Sequence, residues 1–323
     1  MSELHKFIFE GLPVRGMLVR LTDAWTDMVG RRAASTTGPW PQPVQSLLGE
    51  MAAASVLMQA NIKFNGALVM QVFGDGPLKL LVSEVQPDLS VRATATLAGE
   101  IAADATLQSM LNVRGQGRCA ITLDPKDRLP GQQPYQGVVP LQDADGKPLP
   151  SLADALQHYM RQSEQLQTTL VLASDERVAA GLLIQRLPIE GQANLQGQGA
   201  SEEELAEHYN RIATLAASLK REELLTLDAD TILRRLFWEE PLQRFEPLSG
   251  DQAPRFACTC SRERVARMIQ GLGEVEAREI VAERGAIMVD CEFCGAHYRF
   301  DAVDAAQLFK SAGSQAPSTP SIQ

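Results

Sequence analysis

Four of the chain's five cysteines fall between residues 258 and 294, as Cys258-Thr-Cys260 and Cys291-Glu-Phe-Cys294. No other feature of the sequence restricts the fold as tightly. In a reducing compartment such a cluster reads as a metal site or a redox device rather than a permanent disulfide framework. Zn²⁺ takes four thiolates tetrahedrally, and a C-x-x-C-G turn presents two sulfurs while Gly295 lets the chain reverse. Tyr298 and Phe300 then alternate, as the second strand of a knuckle hairpin does. The surrounding segment, residues 254–310, is small enough to need a staple. We expect one Zn²⁺ per chain, held in the reduced form by Cys258, Cys260, Cys291 and Cys294, and expect metal loss to unfold the module. His297 is close enough to substitute, but four cysteines already complete the coordination. His5, His158 and His208 show no ligand spacing. Cys119 stands alone in a strand-like run and reads as a small buried apolar residue.

A static staple is one reading of the tetrad. Against it, a C-x-C pair is less usual than the wider spacings of common structural sites. Four thiolates around Zn²⁺ also carry a formal charge of −2, which Arg255, Arg262, Arg264 and Arg299 could moderate. Zinc keeps sulfur deprotonated, and the thiolate is the form oxidants attack. A partly exposed site of this kind is both a staple and a fuse.

Upstream, the pattern is α+β. Val44, Leu47, Leu48, Met51, Ser55, Met58 and Ile62 recur at helical spacing and predict a helix over 43–62 with one core-facing stripe. Thr37 to Pro43 reads as a loop. Runs 67–73 and 78–84 flank Gly74-Asp-Gly-Pro77 and predict a hairpin. Strands are expected at 91–97, 119–123, 137–141, 168–172 and 180–185, with a helix capped by Ser151 between the last pairs. Residues 191–199, rich in Gln and Gly, read as a break.

Ser201-Glu-Glu-Glu204 has the form of a capping box. Leu205, Tyr209, Ile212, Leu215, Ala216 and Leu219 then make one apolar face, and a second helix, interrupted near Asp228–Asp230, stops at Pro241. Residues 201–246 carry eleven acids and six bases. Two such helices bury little against each other, so their stability must come from docking on a neighbour. In the cysteine module, Ser261 caps a helix ended by Gly271 and Gly273, Glu274–Glu283 forms another closed by Gly285, and a strand at 287–289 leads into the C-x-x-C turn. A last helical turn begins at Asp301 or Asp304 and runs through Leu308 and Phe309. The segments are an N-terminal mixed α/β core domain (1–200), a helical linker (201–253), a small C-terminal tetrathiolate zinc domain (254–310) and a disordered tail (311–323).

The 323 residues carry a net charge of −10, and 255–310 holds eight bases against nine acids. Neither balance suits nucleic-acid binding. No run of about 18 apolar residues predicts a membrane span, and the first ten residues do not form a signal peptide, so a cytoplasmic protein is expected. Enzyme signatures are absent: Gly146-Lys147 is followed by Pro148, which breaks a P-loop, and Gly115-Gln-Gly117 does not extend to a dinucleotide fingerprint.

Phe256-Ala-Cys-Thr-Cys-Ser-Arg-Glu-Arg264 and Val289-Asp-Cys-Glu-Phe-Cys-Gly-Ala-His-Tyr-Arg-Phe300 closely resemble the zinc domain of the redox-regulated 33-kDa heat-shock proteins, bacterial holdase chaperones. Val14-Arg-Gly16, Phe73-Gly-Asp-Gly-Pro-Leu78, Gln162-Ser-Glu-Gln165 and Ala180-Gly-Leu-Leu-Ile-Gln185 are similar to family segments in the expected order. Met160 after Tyr159, and the extra Cys119, depart from the family pattern. The resemblance implies a non-enzymatic, ATP-independent chaperone with a metastable linker, inactive while reduced and zinc-bound. Oxidation would form disulfides Cys258–Cys260 and Cys291–Cys294 and release zinc. The linker would then lose its docking surface, and Leu205, Ile212, Leu215 and Leu219 would meet unfolding client proteins. The resemblance also implies a homodimer when oxidised. The alternative from the residues is a static zinc-stapled interaction or regulatory module.

Overall fold

A computed structural model of the chain describes residues 1–127, 131–188 and 201–310. Its residues divide into two compact units, Met1–Ala257 and the segment from Cys258 onward. The first unit begins with strands β1 (Glu3–Phe9) and β2 (Val14–Leu21), then helices α1 (Asp23–Ala33) and α2 (Gln42–Asn61). Strands β3 (Gly66–Phe73), β4 (Leu78–Val85) and β5 (Ser90–Leu97) follow, then α3 (Leu107–Leu111), β6 (Arg118–Pro125) and β7 (Tyr135–Pro140). Next come α4 (Leu152–Gln162), β8 (Thr168–Ser174) and β9 (Ala179–Arg186). The unit closes with helices α5 (Glu202–Ala217), α6 (Arg221–Thr226) and α7 (Ala229–Phe237) and short strands β10 (Leu242–Arg244) and β11 (Arg255–Phe256).

Two sheets result. One has the order β10-β1-β2-β9-β8, the other β11-β5-β4-β3-β6-β7. The hairpin expected around Gly74–Pro77 pairs β3 with β4, Leu68 opposite Val85 through Phe73 opposite Leu80. Helix α2 touches strands of both sheets, which corrects the expectation of a single apolar stripe. From Val44 to Gln59 nearly every residue is buried, Gly49 and Ser55 included. A helix buried on all sides is apolar on all sides, and the small residues Ala52, Ala53 and Ala54 let both sheets approach. Its start also lies earlier than the loop reading allowed. Pro41 caps the helix and Pro43 occupies its first turn, where a missing N–H costs nothing.

The five-stranded sheet is buried on both faces. Met17, Val19, Leu21 and Leu183 face the core around α2. Phe7, Phe9, Val14, Leu18, Leu182 and Ile184 face the other way, onto Tyr209, Ile212 and Ala216 of α5, Leu224 of α6 and Ile232, Leu233, Leu236 and Phe237 of α7. The continuous apolar run of β9 reflects this double burial. The docking surface of the helices at 201–237 is therefore this sheet. Polar contacts reinforce it. Arg20 of β2 donates to the carbonyls of Leu224 at 2.6 Å and Leu225 at 3.2 Å, closing the C-terminus of α6, while Arg221 donates to Ser174 O and lies 3.5 Å from Glu50.

Gly16 stands opposite Phe7 in the β1–β2 pairing, and a Cβ there would lie 2.2 Å from two carbons of the Phe7 ring. Gly16→Ala should cost about 1–3 kcal/mol through overpacking, read as a lower urea midpoint with an unchanged slope.

The second unit contains α8 (Arg262–Leu272), α9 (Glu274–Arg284), β12 (Ile287–Asp290), β13 (His297–Phe300) and α10 (Ala302–Lys310). Ser261 caps α8 by accepting from Arg264 N. Gly271 lies inside α8, so the stop belongs to Gly273, whose φ is +96°. Gly285, left-handed, closes α9. Val265, Ile269, Ala277, Ile287, Phe300 and Ala305 form the core of this unit. The break expected at 191–199 and the tail at 311–323 lie outside the described residues. No helix among the described residues is long and apolar enough to cross a membrane.

Candidate metal centre

Strands β12 and β13 pair antiparallel, with Ile287 opposite Phe300 and Asp290 opposite His297. The hairpin extends through Cys291 N to Ala296 O at 2.9 Å, and Gly295 N to Cys291 O at 2.8 Å tightens the turn. Gly295 sits at φ +69°, which a side chain would oppose. This turn presents Cys291 and Cys294. The other two sulfurs come from the extended segment before α8. There Arg264 reaches back to Thr259 O at 2.8 Å, fixing the residue between Cys258 and Cys260. Arg262 donates to Arg299 O at 2.9 Å, pairs with Asp304 at 2.9 Å and lies over the Phe300 ring at 4.2 Å. It ties α8 to the hairpin and to α10.

The ligand atoms of Cys258, Cys260, Cys291 and Cys294 all lie within 4.8 Å of one another. Cys258 Sγ is 3.7 Å from Cys291 Sγ, and Cys260 Sγ is 3.3 Å from Cys294 Sγ. All four residues are half-buried. His297 is held by Asp290, Nδ1 to Oδ1 at 2.6 Å, and stands outside the cluster. Cys119 is fully buried in β6, and burial pushes its thiol up to about 12. Arg255 pairs with Asp88 in the first unit and Arg262 with Asp304, so a carboxylate matches the charge of each, while the Arg264 guanidinium is held at Thr259 O, between two of the cysteines.

Burial pushes the thiols of Cys291 and Cys294 above the usual thiol range. Backbone N–H groups pull the other way: Phe293 and Cys294 toward Cys291, and Ala296 toward Cys294. Crowded sulfurs surrounded by donors suit a cation that stabilises them as thiolates. Four converging sulfurs with no carboxylate among them fit a soft or borderline ion taken tetrahedrally. The donor set is thus capable of binding a metal.

One contact at the site escaped the sequence reading. The Tyr298 hydroxyl donates to Cys260 Sγ at 3.1 Å, and this hydrogen bond is the first cause raising the phenol above its usual range. The alternation of Tyr298 and Phe300 identified the strand. The spacing C-x-x-C-G-x-x-Y carried the further signal, because the hairpin returns residue 298 alongside the sulfurs. Leu205, Ile212 and Leu219 are buried in the first unit, with Leu215 partly buried against the same cluster.

The family model described as Hsp33 protein matches residues 2–301. The 33 kDa chaperonin of Chromobacterium violaceum is 43% identical over 308 residues, covering 95% of this chain and 94% of the relative. That of Ectopseudomonas mendocina is 41% identical over 316 residues, covering 97% of each. The crystal structure of the 33 kDa chaperonin from Thermotoga maritima shares the fold, with a TM-score of 0.70 at 18% identity over 96% of this chain and 98% of that one. The α+β architecture and the terminal four-cysteine cluster agree with these likenesses, and the chain belongs to the Hsp33 family of chaperones.

Proposed function

We propose that this protein is an ATP-independent holdase, kept inactive by one Zn²⁺ on Cys258, Cys260, Cys291 and Cys294 and activated when oxidants convert these thiolates to two disulfides. The observation that carries this reading is the convergence of four sulfurs within 4.8 Å in a unit with only a small apolar core. The metal supplies a cross-link between two stretches of chain and holds sulfur as thiolate. Family resemblance supports the pairs Cys258–Cys260 and Cys291–Cys294. For each disulfide, one thiolate attacks peroxide to give a sulfenic acid and hydroxide, and the second thiolate displaces a second hydroxide. The ligands are then consumed and the metal is released.

Unfolding of the second unit reaches the first through the chain itself. Cys258 follows β11 by two residues, and β11 is only a two-residue parallel pair with β5, Arg255 beside Ser90 and Phe256 beside Val91. Losing that anchor frees the segment leading back to β10 and α7. Helices of 16, 6 and 9 residues are marginal without the sheet beneath them. Their release exposes Leu205, Ile212, Leu215 and Leu219 to apolar segments of unfolding clients. Association of two oxidised chains covers part of the exposed surface. A reducing cytoplasm is the compartment in which such a switch rests in its inactive form.

Peroxide titration of the zinc-loaded protein tests the reading. Loss of four thiols per released metal should coincide with the onset of suppressed light scattering by a heat-unfolded client. Full metal release without any effect on client aggregation would refute the chaperone switch, and cysteines inert to peroxide would leave a static zinc-stapled module.

A further inference from the structure

The sulfurs of the centre are not supported alike. The C-x-x-C turn brings its own backbone donors, with N–H groups of Phe293 and Cys294 toward Cys291 and that of Ala296 toward Cys294. At Cys260 the donor is a side chain, the Tyr298 hydroxyl, 3.1 Å from Sγ. Tyr298 is half-buried, and its strand is fixed by pairing with Val289. Its ring packs beside the core of the second unit, so the hydroxyl is aimed by the hairpin rather than swinging in solvent.

We propose that Tyr298 sets the oxidation threshold of the centre by hydrogen-bonding to Cys260 and withdrawing electron density from that sulfur. The proposal rests on the reading of the four cysteines as a metal-bound redox switch. A thiolate attacks peroxide with a sulfur lone pair: an S–O bond forms, the O–O bond breaks and hydroxide leaves. A second thiolate then closes the disulfide and displaces the second hydroxide. Donation from a hydroxyl occupies sulfur electron density and must be given up, in part, as the S–O bond forms. Tyr298 is therefore a positioning residue that slows reaction at one sulfur of the four, so that low oxidant concentrations leave the switch closed.

Tyr298→Phe removes the hydroxyl and keeps the ring. A net hydrogen bond of ordinary strength corresponds to a change of roughly two- to tenfold. Metal release from the variant at fixed peroxide should accelerate by that factor. Alkylation of Cys260, followed by site-resolved mass spectrometry, should accelerate more than that of Cys291 or Cys294. The sulfur-to-metal charge-transfer bands of the Co²⁺-substituted variant should shift, which a purely structural role would not cause. Unchanged release and alkylation rates would overturn the proposal. So would an equal acceleration at all four sulfurs accompanied by loss of helical signal, since that is general loosening. In the wild-type protein loaded with ¹¹³Cd, the Tyr298 hydroxyl proton should show scalar coupling to the metal through Cys260 Sγ. Its absence would overturn the proposal even where the variant does not fold. If neither protein holds metal, the metal-centre reading fails, and the Cys260 alkylation rates still decide the role of Tyr298.

Discussion

Stripping the metal from the reduced protein with a chelator should melt residues 258–310 while the two sheets of the first unit stay folded. Among its described residues the second unit buries seven apolar side chains, and three of them are alanines. The four larger side chains contribute about 6–12 kcal/mol in all, which the chain entropy of about 1–2 kcal/mol for each residue ordered readily offsets. A structural Zn²⁺ contributes about 10–16 kcal/mol in small zinc-dependent folds, so its loss exceeds any stability the unit has by itself. Amide hydrogen exchange is the decisive measurement. Protection in α8, α9 and α10 should vanish on chelation and return when zinc is restored, while protection in β2, β9 and α2 persists. Cys294→Ser should reproduce the effect in part, because it removes one ligand. Retained protection in α8 after complete metal removal would show that the unit folds without its centre, and the coupling of redox state to folding would fail.

Phe237→Ala should free helices α5–α7 without any oxidant. The Phe237 ring lies 5.1 Å from that of Phe9, edge-on at 89°, and 6.1 Å from that of Phe7. It is 2% exposed and is the largest side chain that α7 contributes to the contact with the sheet. Truncating a buried phenylalanine costs about 3–5 kcal/mol. Only the docked state loses this, because the undocked helix exposes residue 237 in either form. The population of undocked helices should therefore rise by about two to four orders of magnitude. Reduced, metal-loaded Phe237→Ala should suppress client aggregation and lose exchange protection in α5–α7. Trp238→Ala is the matched control. Trp238 is 74% exposed, and its removal should change stability by no more than about 0.5 kcal/mol. A Phe237→Ala protein that stays inactive until oxidised would mean that helix docking does not gate client binding.

The four-cysteine cluster was legible because its information is local. Two residues of turn chemistry, Gly295 and the C-x-x-C spacing, specify where Cys291 and Cys294 point, and the C-x-C pair needs only one chain crossing to join them. Helix starts at Ser151, Ser201 and Ser261 were legible for the same reason, and each serine accepts the expected N–H. What long-range packing decides was harder to read. Strand β1 and helix α1 carried no distinct signal, since Glu3 to Phe9 alternates imperfectly and α1 breaks its pattern with Gly30, Arg31 and Arg32. The double burial of β9 shows as an unbroken apolar run, yet nothing local says which helices cover its second face. The Tyr298 contact depends on hairpin register, which places the residue by pairing and not by periodicity.

The cover of α5–α7 conceals as much as it carries. Lifting a lid bares both the lid and the box, and here the box is a β-surface bearing Phe7, Phe9, Leu18, Leu182 and Ile184. That surface keeps its shape when uncovered, because its strands stay hydrogen-bonded to one another within the sheet and its other face packs on α2. On the proposed reading, an opened molecule would offer captured polypeptides a firm adhesive wall together with loose adhesive arms. Returning to rest would then require the arms to outcompete cargo for the wall, and discharge of cargo would depend on refolding of the lid as much as on rereduction of sulfur.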